Sequence, residues 1–484
     1  MRMFLFITLF ALSVEANGQN VNTDFHAYRE ELLGGFQKYR KGILEDYANY
    51  LAGVWEEFQV FKGKKRDEKP KPVSVPNVED VPVCPSPQSL PIPDVSPRTN
   101  PQSSNDIPQS KPIIPVKSVR SPTFDFTFYG VKVNGIRMNT YQVESLEPST
   151  ISQVWRQYQK EKKEEVLQTL NSITRSCGLN DWFTFELVRC YADALLKNGT
   201  SADRIVLQHY LLANLGFNVR LASTKQQLLL LFPCKQLMYE RSYLVIDDLK
   251  HYIFYDNISP ITEHSAAIYT CSLPQDADKG SIADLVFNKS ILNMKSGGDK
   301  DCVLSDGRIT IKGTVNYGMM EMLRHYPLMD VPHYAESKIL PAFHRNIIEQ
   351  IRPQISSLNQ RDAANALLHF VQFAFDYATD NEQHGYEKPY FLEENFYYPK
   401  NDCEDRSIFY AFLVHSILGL DVHLVKYPGH ECTAVHFTDN SIIGDGYVYN
   451  NQTYIICDPT YIGASIGQCM PNYINKKPVV ELWY

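Results

Sequence analysis

The chain has 484 residues, 44% hydrophobic and 21% charged, with a formal net charge of −8. This composition excludes a disordered chain and supplies apolar material for roughly two or three domains with cores of their own. The acidic balance argues against a nucleic-acid partner or an acidic membrane surface.

The opening stretch, MRMFLFITLFALSVEANGQN, has Arg2, an apolar run from Phe4 to Val14, and small residues at Ala16 and Gly18. It predicts a secretory signal peptide over residues 1–18 and a protein exported to the periplasm, the cell surface or the medium. No cysteine stands at the cleavage point, which speaks against a lipoprotein, and no later apolar run is long enough to span a membrane. Over 19–63, apolar residues fall three and four apart from Phe25 to Phe58, the pattern of an amphipathic helical segment. That segment packs on its own domain or docks a partner. Residues 64–120 are proline-rich. Proline at that density removes backbone donors and fixes φ, so a linker, or a strap laid on a surface, is expected.

From Phe124 the text FDFTFYGVKVNG alternates as a β-hairpin does. Helical periodicity runs from Ile151 to Lys197, and strand-like stretches lead to Asp256. A second hairpin pattern, VLSDGRITIKG, follows Gly297-Gly298, and helical segments fill 315–380.

The chemistry-bearing stretch comes next. Cys403 opens an amphipathic helix with Ile408, Phe409, Phe412, Leu413 and Ile417 on its buried side. His430 and Asp458 each follow on an apolar, strand-like run. A cysteine at a helix start has its thiolate favoured by the helix dipole, a histidine can take its proton, and a carboxylate can fix the imidazole tautomer. The order fits a nucleophile–base–orienter triad of Cys403, His430 and Asp458. His436 is a rival base and Asp445 a rival orienter. The Cys403 amide is one candidate oxyanion donor, with a second sought in Tyr397–Asn401.

Asp402, Glu404 and Asp405 surround the cysteine. Carboxylates there raise a thiol pKa unless they point away or a cation neutralises them. Together they offer oxygens to a hard ion such as calcium. Alternatively, Asp405 pairs with Arg406 or caps backbone groups. The ten cysteines include no CxxC pair, so buried free thiols are expected rather than a zinc site. Cys432 shares the face of His430 and Cys457 points away from that of Asp458, so a bridge between the two is not expected.

Two segments read alike: KNGTSADRIVLQHYLLANLGFNVRLA from Lys197 and KNDCEDRSIFYAFLVHSILGLDVHLV from Lys400. In this alignment Thr200 falls on Cys403 and Gln227 on His430. YIFYD falls on YIICD, placing Asp256 on Asp458. The chain therefore reads as two tandem copies of one domain, a degenerate one over 121–300 and an intact one over 301–484. Without thiol or imidazole, the first copy is expected to scaffold or bind substrate.

Cys403, the His430-Glu-Cys-Thr-Ala-Val435 strand and Asp458-Pro-Thr460 together resemble the transglutaminase-like superfamily, over residues 385–475 and in degenerate form over 175–260. The Asp402-Cys-Glu-Asp405 run is similar to that of bacterial transglutaminase-like cysteine proteinases, and the wider text to exported Bacteroidetes proteins. Glu431-Cys432 departs from the superfamily pattern, which has small or aromatic residues there. The resemblance implies a papain-like α+β fold with the cysteine helix packed on an antiparallel sheet. It also implies calcium ligation by Asp402, Glu404 and Asp405; the residues require no other cofactor. The function expected is a cysteine hydrolase of peptide or isopeptide amides acting through a thioester on a protein or peptide substrate. The alternatives are a protein-glutamine amine transferase, or a non-enzymatic surface or binding protein with a vestigial site.

Overall fold

The computed structural model describes Val73–Ser74 and residues 122–484, except 162, 225, 256–267, 272–279 and 288–291. The expected signal peptide, the expected helical segment over 19–63, Asp256 and all of the proline-rich stretch but Val73–Ser74 lie outside the described residues. Those two residues form β1.

The hairpin at Phe124 is β2 (Thr123–Phe128) and β3 (Val131–Ile136). Tyr129 and Gly130 turn it with φ of 44° and 77°, the left-handed pair that matches strand twist in a two-residue turn. The helices α1 (Pro148–Gln159), α2 (Glu164–Cys177), α3 (Asp181–Leu195) and α4 (Ser201–Asn214) follow. They lead into β4 (Arg220–Ser223), β5 (Leu228–Pro233), β6 (Tyr243–Ile246), β7 (Leu249–Phe254) and β8 (Tyr269–Cys271). These five strands form one antiparallel sheet in the order β6-β7-β5-β4-β8.

A second hairpin, β9 (Asp299–Ser305) and β10 (Thr310–Asn316), precedes α5 (Tyr317–Arg324), α6 (Val331–Glu336), α7 (Pro341–Ile355) and α8 (Gln360–Phe373). β11 (Asp376–Tyr377) pairs in parallel with β12 (Lys400–Asn401), and between them lies the short α9 (Asp380–Gln383). Then come α10 (Cys403–Leu413), β13 (Asp421–Tyr427), β14 (His430–His436), β15 (Gly446–Tyr449), β16 (Gln452–Cys457), β17 (Tyr461–Ile462) and β18 (Val479–Trp483). The second five-stranded sheet is also antiparallel, in the order β15-β16-β14-β13-β18. β1 lies antiparallel on β17. The architecture is α+β, and one continuous apolar core takes side chains from α3, α4, α8, α10 and both sheets.

The two sheets correspond strand for strand. Their outer hairpins turn through Asp247-Asp248 and Asn450-Asn451, all four with φ between 47° and 63°. Both helices before the sheets end at a glycine in the left-handed region, Gly216 (φ 97°) and Gly419 (φ 67°), where a side chain would be strained. At their starts, Thr200 and Asp402 hold the N-cap, and Asp203 and Asp405 stand at the third helical position. The second helix is one residue longer from cap to glycine, and a π turn over Val414–Leu418 takes up the extra residue.

This geometry corrects the sequence alignment at two points. Counted from the caps, Ser201, not Thr200, holds the position of Cys403. On the ladders, Leu230 pairs with Phe254 as Thr433 pairs with Cys457, so Tyr255, not Asp256, holds the position of Asp458. Gln227 keeps the position of His430: its carbonyl accepts from Thr224 N–H at 2.9 Å, where the other sheet pairs Tyr427 with His430.

Candidate active site

α10 carries Cys403 at its first position and is buried almost all round. Ile408, Phe409, Tyr410, Ala411 and Leu413 are each at most 2% exposed, while Phe412 and Ile417 are only partly buried, so the expected one-sided stripe is wider than the sequence suggested. The Asp402 N–H donates to Asp405 Oδ2 at 3.4 Å, tying the cap to the first turn. Arg406, 1% exposed, donates from Nε to Asn401 Oδ1 (2.8 Å), and its Nη atoms donate to the Phe375 (3.0 Å) and Gln372 (3.4 Å) carbonyls. Ser407 Oγ donates to the Glu431 carbonyl at 3.1 Å, fixing the helix against β14.

That packing sets Cys403 beside the start of β14. The Glu431 N–H reaches the Cys403 sulfur, one residue after His430. His430 Nε2 and Asp458 Oδ2 lie 2.7 Å apart, with side chains 8% and 2% exposed. Nδ1 of His430 has no hydrogen-bond partner among the described residues. Asp458 Oδ1 accepts from Thr460 N–H (2.9 Å), Thr460 Oγ1–H (2.8 Å) and Tyr461 N–H (3.2 Å), so the Asp-Pro-Thr turn aims its other oxygen at the imidazole. Tyr473 stacks on the His430 ring at 5.2 Å and 12°. Burial opposes charge on His430, but the charge and hydrogen bond of Asp458, with the charge of Glu404, outweigh it and raise its pKa. Burial likewise opposes the Asp458 carboxylate, and His430 and Thr460 overcome it and lower its pKa.

The rivals are placed elsewhere. His436 Nδ1 meets the Thr453 carbonyl at 3.0 Å at the far end of β14. Asp445 accepts from Cys469 N–H at 3.0 Å. Cys432 and Cys457 are buried free thiols. Asn401 is committed to Arg406 and Asn395.

The carboxylates around Cys403 do not all point away. The partly buried thiol donates to Glu404 Oε2 at 3.0 Å. Burial and the charges of Glu404 and Asp402, with that hydrogen bond, push the thiol well above its ordinary pKa, against the Glu431 amide. Asp405 faces inward instead, accepting from Tyr390 N–H at 2.7 Å and from Asp402 N–H, so it serves the cap rather than an ion. In its place stands Asp380, whose carboxylate, with those of Asp402 and Glu404, brings one oxygen from each residue within 4.8 Å of the others. Asp402 Oδ1 is buried without a hydrogen-bond partner among the described residues. Burial, then the charge of Glu404, raises Asp380 to about 8. Glu431 is raised to about 8 by burial and by Glu481 and Glu404, and Glu387 to about 7 by burial and Glu404. His430, Cys432 and Asp458 also converge within 4.8 Å, but the first and last are engaged with each other.

Sequence reasoning missed Asp380, Glu387, Glu431 and Tyr473. The only signal was the density of acids between Asp380 and Glu404, since loops and a strand start bring them together. No protein-family model, curated protein or solved structure matches the chain.

Proposed function

We propose that this protein is an exported cysteine hydrolase of peptide or isopeptide amides. The reading includes two transglutaminase-like, papain-like α+β copies, the second of which is active. The observation that carries it is the buried 2.7 Å pair of His430 Nε2 and Asp458 Oδ2, its histidine on the strand to which the helix opened by Cys403 is tied. The shared strand order and the matching caps and turns support duplication.

In this reading the Cys403 thiol proton passes to His430 Nδ1 and the sulfur attacks the amide carbonyl. The leaving amine takes the proton from His430, and a thioester remains. Water, deprotonated by His430, then releases the acid and the free thiol. Asp458 holds the tautomer and favours the imidazolium throughout.

The thiol must leave its hydrogen bond to Glu404 before this chemistry starts. The all-oxygen set of Asp380, Asp402 and Glu404, with its unpartnered Asp402 Oδ1, fits a hard cation. Calcium held there would cancel the charge that now opposes the thiolate. The Glu404 hydrogen bond also favours the second reading, a binding protein with a vestigial site.

The test is the rate of Cys403 alkylation against pH, with calcium and with chelator, in wild type, Cys403→Ala and His430→Ala. A hydrolase shows a thiol pKa below about 8.5 with calcium, and a higher one in His430→Ala. A pKa at or above that value, indifferent to His430 and calcium, supports the binding protein.

A further inference from the structure

A cleft of about 210 Å³ opens between the first sheet's Met238–Arg241 corner, α3, and the segments 325–328 and 386–388. Two of its lining groups are donors without hydrogen-bond acceptors among the described residues. Trp182 is 4% exposed, and its Nε1–H is buried with no partner among them. Arg241 makes no hydrogen bond or salt bridge among the described residues; its guanidinium lies 4.3 Å from the centre of the Phe254 ring, with the charges of Arg189 and Glu186 acting on it from nearby. The Trp182 ring lies 5.9 Å from the same phenylalanine, so both donors flank one aromatic platform. Beside them Glu240 holds a φ of 57°, an unfavourable backbone for a residue with a Cβ. The corner is held by Tyr239, whose N–H donates to the Leu328 carbonyl at 2.9 Å and whose hydroxyl donates to Asp330.

A buried indole N–H and an unpaired guanidinium both call for an acceptor, and the guanidinium for an anionic one. The far end of the cleft has the opposite character. Lys388 is paired with Glu394 at 2.8 Å, and Glu387 shares a hydrogen bond with Glu404, the acceptor of the Cys403 thiol. A negative charge is therefore accommodated at the Trp182–Arg241 end and not beside the thiol.

We infer that this cleft binds the carboxylate of a peptide at Trp182 and Arg241, with the rest of the peptide running toward Cys403. The inference rests on the hydrolase reading only for the identity of the peptide as substrate. Binding itself does not need turnover. The carboxylate comes from an acidic side chain or from a chain terminus.

The test is calorimetry on the full chain carrying Cys403→Ala, which prevents turnover. Three probes are titrated: acetyl-Ala-Glu-Ala-Ala-amide, acetyl-Ala-Ala-Ala-Ala with a free C-terminal carboxylate, and acetyl-Ala-Gln-Ala-Ala-amide. At least one charged probe binds about tenfold or more tighter than the neutral one, and the stronger of the two identifies the source of the carboxylate. Adding Arg241→Gln removes that difference, Arg241→Lys keeps part of it, and Trp182→Phe reduces it. Thermal melting of each variant shows whether it is folded, and Arg241→Lys carries the test if Arg241→Gln is not. Equal binding of charged and neutral probes, or a preference that survives in folded Arg241→Gln, overturns the inference. If wild type cleaves no peptide while the preference holds, the hydrolase reading falls and the site stands.

Discussion

The helix that opens at Thr200 and the helix that opens at Asp402 stand before sheets of the same strand order, yet they carry different chemistry. At three corresponding positions the first half has Ser201, Gln227 and Tyr255, and the second has Cys403, His430 and Asp458. The frame is therefore independent of the reactive groups: caps, left-handed glycines and turn pairs persist without them. The proposed chemistry would enter through side chains at the helix start, at a strand start and just past a strand end, where exchange leaves the core intact.

The largest test of that contrast is activity. Cys403→Ala is expected to lower kcat/KM for an amide substrate by at least about 10³-fold, because no other group replaces the nucleophile. Ser201→Ala, at the matching position, is expected to leave it unchanged. Equal losses would place chemistry in both halves.

The next is stability. Both halves have arginine after the capping aspartate. Arg406 is 1% exposed and holds three acceptors, whereas Arg204 is 18% exposed and donates to the Leu196 and Gly199 carbonyls. Removing a buried charge leaves its partners uncompensated, so Arg406→Ala should cost about 3–5 kcal/mol and Arg204→Ala about 1 kcal/mol in urea unfolding. Similar costs would mean that the second helix start is no more tightly held than the first.

How much of this was readable before the structure depends on the residue. The placement of Cys403 at a helix start, His430 at a strand start and Asp458 just past a strand end was legible because the elements they flank have clear periodicity. Two of the three matching residues of the first half were not. A one-residue slip in an apolar run such as YIFYD is invisible in the text, yet it moves every side chain to the other face of the strand. The π turn concealed a second slip by lengthening the helix without breaking its apolar pattern. Asp405 read either as an ion ligand or as a cap, because local sequence does not show which way a carboxylate turns. Asp380 went unread because its place beside Glu404 depends on tertiary packing.

Two histidines sharpen the comparison further. His430 has a carboxylate partner and a raised pKa; His209, on the first half's helix, is fully buried without one and is pushed down to about 4 by burial. Trp155 Nε1–H donates to its Nδ1 at 3.2 Å and Nε2 meets the Val219 carbonyl at 3.1 Å, so the ring is neutral, with its proton on Nε2. A folded-state pKa below the unfolded value of 6.5 means that the unfolded chain binds the extra proton. Stability is then whole above about pH 6.5 and falls as pH drops toward about 4, by no more than about 3 kcal/mol. Melting temperature against pH should show this loss, and His209→Gln should flatten it. An unchanged slope in the variant would assign the acid sensitivity to other groups.

The smallest effect bears most directly on the resting state of the thiol. Ala202 stands in the first half where Glu404 stands in the second. Glu404→Gln keeps the size of the side chain and removes the charge that faces Cys403 at 3.0 Å. With that charge gone the thiol pKa falls. Each unit of fall raises the thiolate fraction at neutral pH about tenfold, so alkylation of Cys403 in calcium-free buffer should accelerate in proportion to the fall. Calcium should speed the wild type toward the variant's rate and do little to the variant, since the charge it would cancel is absent. A variant as slow as wild type in chelator would show that burial alone holds the proton on sulfur, and would remove the reason for a cation beside it.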